Sequence, residues 1–317
     1  MIVVLTGGTG GAKFAEGLQR VARPDELTFI VNTGDDLLWW DLPVSPDLDS
    51  ITYALAGLHC RQRGWGLEGD TFDLLQLKRS QGAPAWFQVG DRDLDTHRAR
   101  AQLLSAGLTL TQVTQELASR LGVVARILPM SDDRVETRLQ TPLGELSFEE
   151  YFVRERHQPP VSCVCFVGAE QARPAPGVLE AIARADAILL APSNPITSIG
   201  PILAVPGIRD ALRAAAAPVA AVSPIVAGAA VSGPAAALME SQGLPASASG
   251  VARAYVDFLD VLILDSRDAA EIEPIEALGI RAHTTNTIMA GLPERAALAE
   301  FALEAVRQPA APREALP

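Results

Sequence analysis

The sequence predicts an α/β protein: a Rossmann-like, doubly wound, mostly parallel sheet with an inserted α+β cap. Three observations carry that prediction. Short β-rich runs alternate with helical patterns along most of the chain, the pattern of right-handed βαβ units. The runs are almost continuously apolar, as strands buried on both faces are. A glycine-rich turn stands between the first strand and the first helix, where such folds bind anions. With 317 residues, 48% hydrophobic and 20% charged, the chain has ample material for a core. We read residues 1–317 as a single domain.

The elements follow in order. Ile2–Thr6 reads as a strand, then a glycine loop, then a helix from about Ala12 to Val21. Leu27–Asn32 is the second strand. Later strand runs are Val161–Phe166, Ala187–Ala191, Val219–Val222, Val261–Leu264 and Ile280–Thr284. Helical patterns separate them near Pro176–Arg184, Ile208–Ala216, Pro234–Gln242, Val251–Phe258, Ala269–Leu278 and Glu294–Val306. The middle, about 70–152, has a different texture. Helices are expected near Thr71–Ser80, Thr96–Ala106 and Thr111–Arg120, and a β-ribbon from Val135–Leu139 through a turn to Glu145–Phe148. This is the inserted cap. The Pro/Ala-rich end, Gln308–Pro317, is expected to fray.

Composition excludes several classes. A net charge of −12 argues against a protein that coats nucleic acid or an anionic membrane. It leaves room for one phosphorylated ligand at a locally basic or metal-assisted site. Three cysteines give no disulfide framework and no C-x-x-C pair, and Cys163 and Cys165 read as buried strand thiols. Met1–Gly7 lacks the basic flank and apolar length of a signal peptide. Pro218, Pro224 and Pro234 break the apolar stretch Ala211–Leu238 below the length of a membrane span. A soluble cytoplasmic protein is expected.

The chemistry should lie just beyond the strands' carboxyl ends. The first such loop is Gly7-Gly8-Thr9-Gly10-Gly11-Ala12-Lys13. Glycines let backbone N–H groups approach an anion, and the helix start adds partial positive charge. A generic strand–helix turn has the same look, but Lys13 is one of only two lysines, beside 24 arginines. A lysine there suits a compact charge beside phosphate. The second strand leads to Asn32-Thr33-Gly34-Asp35-Asp36, and Ser45-Pro46-Asp47-Leu48-Asp49-Ser50 opens a helix. Asp47 and Asp49 either cap that helix or supply hard oxygen ligands to Mg²⁺ beside the anion loop. The cap offers Gly90-Asp91-Arg92-Asp93, His97 and Met130-Ser131-Asp132-Asp133. Two further loops, Pro192-Ser193-Asn194-Pro195 through Gly200 and Ser223-Pro224 leading to Ser232-Gly233-Pro234, offer neutral groups for a base or phosphate.

Other sites are absent from the sequence. There is no G-x-S-x-G elbow and no H-E-x-x-H, and the glycine loop is neither a Walker A loop nor a dehydrogenase fingerprint.

These loops together resemble the 2-phospho-L-lactate transferase family (CofD, called FbiA in some bacteria), which acts in biosynthesis of the deazaflavin coenzyme F420. The matching segments are LTGGTGGAK at 5–13, NTGDD at 32–36, SPDLDS at 45–50, GWG…DTF at 64–72, GDRD…H at 90–97 and PMSDD at 129–133. PAPGV at 174–178, PSNPITSIGPI at 192–202, PGIRDAL at 206–212 and AVSPIV…VSGPA at 221–235 complete the set. The segments run in order over most of the chain, so the set is specific although each segment alone is weak.

The resemblance implies a reaction. A 2-phospholactyl or phosphoenolpyruvyl group passes from a guanosine diphosphate conjugate to the ribityl hydroxyl of Fo, the deazaflavin precursor. GMP leaves, and Mg²⁺ is the cofactor. The resemblance implies that Gly8, Thr9, Gly10, Gly11, Lys13, Ser193, Asn194, Ser198 and Ser223 bind the donor's GDP portion. It implies that Asp47 and Asp49 hold Mg²⁺ or orient the attacking hydroxyl. Asp49, Asp91, Arg92 and His97 would face Fo, and the protein would be a homodimer. Three departures stand out: Leu38-Trp39-Trp40-Asp41-Leu42 replaces a smaller glycine-containing stretch, Gly64 replaces an aromatic, and Ser50 replaces threonine. A rival reading is a non-enzymatic nucleotide-sugar-binding regulator, which shares the GGTG opening; GDRD…H, PMSDD and SPDLD favour the enzyme.

Overall fold

A computed structural model describes residues 1–308. The chain begins with β1 (Ile2–Thr6), α1 (Gly8–Val21) and β2 (Leu27–Val31). A hairpin of β3 (Leu37–Trp39) and β4 (Leu42–Val44) leads to α2 (Pro46–Leu55). Then come α3 (Asp73–Ser80), α4 (Asp93–Ser105), α5 (Leu110–Arg120), β5 (Arg126–Pro129), β6 (Glu136–Thr141), β7 (Gly144–Ser147) and β8 (Cys163–Val167). The second half runs α6 (Val178–Arg184), β9 (Ala187–Leu190), α7 (Ile199–Ala204), α8 (Ile208–Ala214), β10 (Val219–Val222), β11 (Ile225–Val226) and β12 (Ala229–Ala230). It ends with α9 (Ala235–Ser241), α10 (Ala248–Ala254), β13 (Val261–Asp265), α11 (Ile272–Glu276), β14 (Arg281–Thr285) and α12 (Leu292–Arg307).

Seven strands form one parallel sheet in the order β14-β13-β10-β9-β1-β2-β5. The chain winds outward from β1 to β2 and β5, then returns to β9 and winds the other way. The reversal between β1 and β9 leaves a crevice at their carboxyl ends. Alternation along each strand feeds two cores. Val3 and Leu5 face a layer drawn largely from α6 to α11, while Ile2 and Val4 face Phe14 and Leu18 of α1, Ile51 of α2 and Leu298 of α12. Residues 309–317 of the expected frayed end lie outside the described residues.

Four expectations are corrected. The run at Val161–Phe166 does not enter the main sheet. As β8 it pairs antiparallel with β6, and β6 with β7, in a separate three-stranded sheet. Only one face of that sheet is covered, so Val164 and Phe166 pack against the core while Cys163 and Cys165 point outward. The two thiols are exposed, not buried. Within 70–152, β5 returns to the main sheet as its edge strand, a four-residue run whose terminal proline suits an edge. Helix α1 starts at Gly8, so the glycine segment is itself the helix's first turn.

The β3–β4 hairpin explains the unusual Trp39-Trp40-Asp41 stretch. Trp40 and Asp41 both take positive φ, 49° and 62°, the conformation glycine would adopt most easily. Trp39 packs edge-on against Trp86 and Phe87, and Trp40 donates from Nε1 to the Pro84 carbonyl at 2.9 Å. These contacts hold the turn without glycine.

Candidate active site

A cavity of about 550 Å³ opens over the carboxyl ends of the central strands and beneath the cap. Its floor is the first turn of α1, whose Gly7, Gly8, Thr9, Gly10 and Lys13 all line it. Gly7 accepts no side chain: a Cβ there would lie 2.5 Å from Asp47 Oδ2. The Gly8 amide donates to Asp47 Oδ1 at 2.7 Å, so a carboxylate from α2 caps α1 from outside. Ser193, after β9, donates from Oγ to the Gly7 carbonyl at 2.7 Å and locks the turn. Asn194 Oδ1 accepts from the Ile196 amide at 2.9 Å and shapes the next loop. Ser193, Asn194, Thr197, Ser198 and Ser223 line the cavity together. Gly11 does not; it packs against Thr6 and Ser193 behind the turn.

A buried acidic group forms one wall. Asp35, Asp47, Asp49, Asp93 and Glu149 line the cavity, and Asp36 is half-buried next to them, its Oδ2 accepting from Ser45 Oγ at 2.7 Å. Burial pushes Asp47 up to about 6, although Asn32 and the Gly8 amide donate to it. Burial, reinforced by the Asp47 and Glu149 charges, raises Asp35 well above the ordinary carboxylate range. Burial lifts Asp36 and Glu149 to about 8 each, and Asp47 adds to both.

Asp49 sits deeper. Arg100 of α4 pairs with its Oδ1, and the His97 Nδ1 atom lies 3.6 Å from its Oδ2. Asp49 Oδ2 has no hydrogen-bond partner although it is buried. On the far side of the imidazole, Nε2 lies 3.7 Å from Asp93 Oδ2, and Tyr53 donates to Asp93 Oδ1 at 2.6 Å. Burial alone would raise the Asp93 carboxyl; His97, Tyr53 and Arg100 outweigh it and hold it below its ordinary value. The result is a fixed row, Arg100–Asp49–His97–Asp93–Tyr53, with one unsatisfied carboxylate oxygen.

The opposite wall is basic. Lys13, Arg61 and Arg295 line it, and Glu16 is buried behind them, taking Arg295 and Arg61 as partners. Around the mouth stand Trp65, Phe87, Phe148 and Phe152, the last two stacked with centroids 5.5 Å apart. The β14–α12 loop, Thr287 to Ala290, closes a further side. Asp265 at the end of β13 anchors it by accepting from the Thr287 amide at 3.0 Å and hydroxyl at 3.1 Å.

Besides Gly11, two more expected residues do not reach the cavity. Asp91 accepts from Thr71 Oγ1 at 2.6 Å and from the Asp73 and Leu74 amides at 2.8 and 3.0 Å. It caps the start of α3, and this use of both oxygens turns it away from the cavity. Arg92 donates from Nη1 to the Glu68 carbonyl at 3.1 Å and is exposed. The cap instead brings in Phe87, Gln88, Asp93 and His97. Sequence reasoning passed over Glu149, Arg61 and Arg295, which lie in no motif.

With this geometry in place, comparison with known proteins is decisive. Residues 2–287 match the family described as 2-phospho-L-lactate transferase CofD. The chain belongs to that family. It is a transferase, and the regulator reading falls away. A phosphoenolpyruvate transferase of Streptomyces griseus is 46% identical over 309 residues, covering 96% of this chain and 97% of that one. A similar protein of Streptomyces avermitilis, bearing the same name, is 47% identical over 97% of this chain and 99% of its own length. A 2-phospho-L-lactate transferase of Methanosarcina acetivorans is 42% identical, covering 95% and 97%. A solved structure from Bacillus halodurans, 17% identical, shares the fold with a TM-score of 0.65 over 95% of this chain and 98% of that one.

The acidic wall fits a hard divalent cation. Burial raises Asp35 and Glu149, with the Asp47 charge adding to each, and Asp35 Oδ1 and Asp49 Oδ2 are buried without a hydrogen-bond partner. Among the described residues no three side chains are arranged to hold a metal by themselves. A magnesium ion held by one or two carboxylates, with substrate phosphates and water completing its shell, suits that arrangement.

Proposed function

We propose that this protein transfers a phosphoenolpyruvyl group from a guanosine diphosphate conjugate to the ribityl hydroxyl of Fo, releasing GMP, in coenzyme F420 biosynthesis. One observation supports it above the others. A glycine-rich helix start with a lysine beside it faces a buried row of Asp49, His97 and Asp93 across one cavity. The first arrangement suits a diphosphate, and the second suits a hydroxyl group that must lose a proton.

In this reading the first turn of α1, Lys13 and the Ser193–Ser198 loop hold the donor. The aromatic mouth holds the flat deazaflavin ring, with His97 and Asp49 at its ribityl end. The hydroxyl oxygen attacks the phosphorus that bears the enolpyruvyl group, and the bridging P–O bond to GMP breaks. Asp49 Oδ2 accepts the hydroxyl hydrogen bond, orients the nucleophile and takes its proton; Arg100 fixes the carboxylate and donates to His97 Nδ1, holding the imidazole in place between Asp49 and Asp93. Asp47 and Asp49 would hold Mg²⁺, with Asp35 adjoining. The ion, when bound, offsets the phosphate charge that grows on the leaving group.

The enolpyruvyl donor is preferred over the lactyl one because identity to the phosphoenolpyruvate transferases, 45–47%, exceeds that to the 2-phospho-L-lactate transferases, 40–42%. A homodimer and a cytoplasmic location complete the proposal, on the family resemblance; no helix among the described residues is long and apolar enough to cross a membrane. Mass spectrometry of the product formed from Fo with both donors competing tests it. Predominance of the enolpyruvyl adduct is expected, and predominance of the lactyl adduct overturns the donor assignment.

A further inference from the structure

Helices α1 and α12 meet unusually closely. A Cβ on Gly17 would lie 2.1 Å from the Arg295 carbonyl oxygen, so only glycine lets the start of α12 come in this far. That approach carries the Arg295 side chain to the cavity wall beside Lys13, whose position one turn before Glu16 puts all three groups on the same flank. Arg295 is 3% exposed. Its Nη1 donates to Glu16 Oε2, and Glu16 is equally buried. Its Nε is buried with no partner.

The charges on this wall do not balance. Arg295 and Arg61 share one carboxylate, Glu16, which Arg61 contacts at 3.3 Å, and among the described residues Lys13 pairs with no carboxylate. Burial, and secondarily the Arg295 charge, lower the Lys13 pKa; burial also lowers Arg295. Arg295 is buried, Lys13 half-buried and Arg61 exposed, so an anion entering the cavity meets excess positive charge at this wall. A guanidinium with an unused N–H, held rigidly at a cavity wall, is suited to take a phosphate oxygen.

We propose that Arg295 is a donor-binding residue. It contacts the diphosphate of the nucleotide conjugate together with Lys13, and Glu16 is the positioning residue that holds it there. This rests on the proposed function, since it deepens the donor side of the same cavity. The obvious variant, Arg295→Met, leaves Glu16 buried with only Arg61 beside it and risks misfolding. The decisive variant is therefore the double change Glu16→Gln with Arg295→Met, which removes both charges. Calorimetric titration with GDP is run on the wild type and the double variant, with thermal melting as the check on folding. A cation on the diphosphate predicts that the folded double variant loses affinity for GDP by about tenfold or more, the effect of one charge-assisted hydrogen bond. A merely structural ion pair predicts GDP affinity equal to wild type in the double variant, and that result overturns the inference. If the double variant does not fold, the same titration on Arg295→Lys decides: weakened GDP binding supports the inference, and unchanged binding overturns it. Failure of the wild type itself to bind GDP would instead overturn the donor reading on which the inference rests.

Discussion

The two walls of the cavity solve opposite problems. On the basic wall Arg295 and Arg61 share one buried carboxylate, Glu16, and Lys13 stands beside them. On the acidic wall Asp35, Asp47, Asp49 and Glu149 face the cavity, and Arg100 pairs with Asp49 alone among them. The basic wall carries excess positive charge, whereas the acidic wall relieves part of its own through the raised pKa values of Asp36 and Glu149. A polypeptide that buries unbalanced charge loses stability, so such imbalance persists where a ligand of the opposite sign completes it. The difference assigns the walls: an anion belongs against Lys13 and Arg295, and a cation, with a hydroxyl to activate, against the carboxylates.

The sharpest way to break the acidic wall is Asp49→Asn. Asparagine retains the shape and a hydrogen-bond acceptor for Arg100 but loses the charge. Turnover is expected to fall by about a thousandfold, within the range for proton-handling groups. The melting temperature should fall as well, because Arg100 is left buried without its counter-ion. Turnover near wild type at saturating Mg²⁺ would leave Asp49 a helix residue and nothing more.

The next effect is on stability against pH. Asp36 and Glu149 titrate near 8 in the fold and near 4 when unfolded. A carboxylate whose folded pKa is raised contributes its stability below pH about 4 and loses it as pH climbs through about 8. Melting of the ligand-free protein should therefore fall between pH about 5 and about 8. Glu149→Gln should flatten that slope, and Mg²⁺ should raise the melting temperature more at pH about 8 than at about 5. An identical slope in Glu149→Gln and wild type would remove Glu149 from the buried group.

On the basic wall Lys13→Ala should weaken GDP binding by about tenfold and leave Fo binding nearly unchanged, read by separate calorimetric titrations. Equal losses for both ligands would mean that the two walls do not divide the substrates.

The smallest effect is expected at Asp91. Because it caps α3 outside the cavity, Asp91→Ala should cost about 1 kcal/mol of stability, seen in denaturant unfolding, with turnover and KM for Fo close to wild type. His97→Ala, inside the cavity, should by contrast depress kcat strongly. A large rise in KM for Fo in Asp91→Ala would return it to the acceptor side.

These contrasts also show how far the sequence could be read. Loops that leave a strand and open a helix announced themselves: GGTGGAK and PSNPITS place residues at the cavity because main-sheet strand ends converge there, and SPDLDS brings the start of α2 to it from the β3–β4 hairpin. Residues arriving from other elements did not. Arg295 lies on the second turn of the last helix and reaches the wall only because Gly17 lets two helices touch. Glu149 follows a β-ribbon and carries no motif. Asp91 misled for the opposite reason: it stands in a conspicuous polar cluster, yet backbone amides engage both its oxygens. The period of β8 was hidden likewise, since cysteine and valine look equally apolar in sequence while only alternate side chains are covered.

The central claim, that both substrates meet in this one cavity, is tested most directly by following GMP. Purified protein is given the guanosine diphosphate conjugate and Mg²⁺, with and without Fo, and the nucleotides are separated by chromatography. Release of GMP only when Fo is present is the predicted result. Equal release without Fo, or none with every component supplied, would contradict the account.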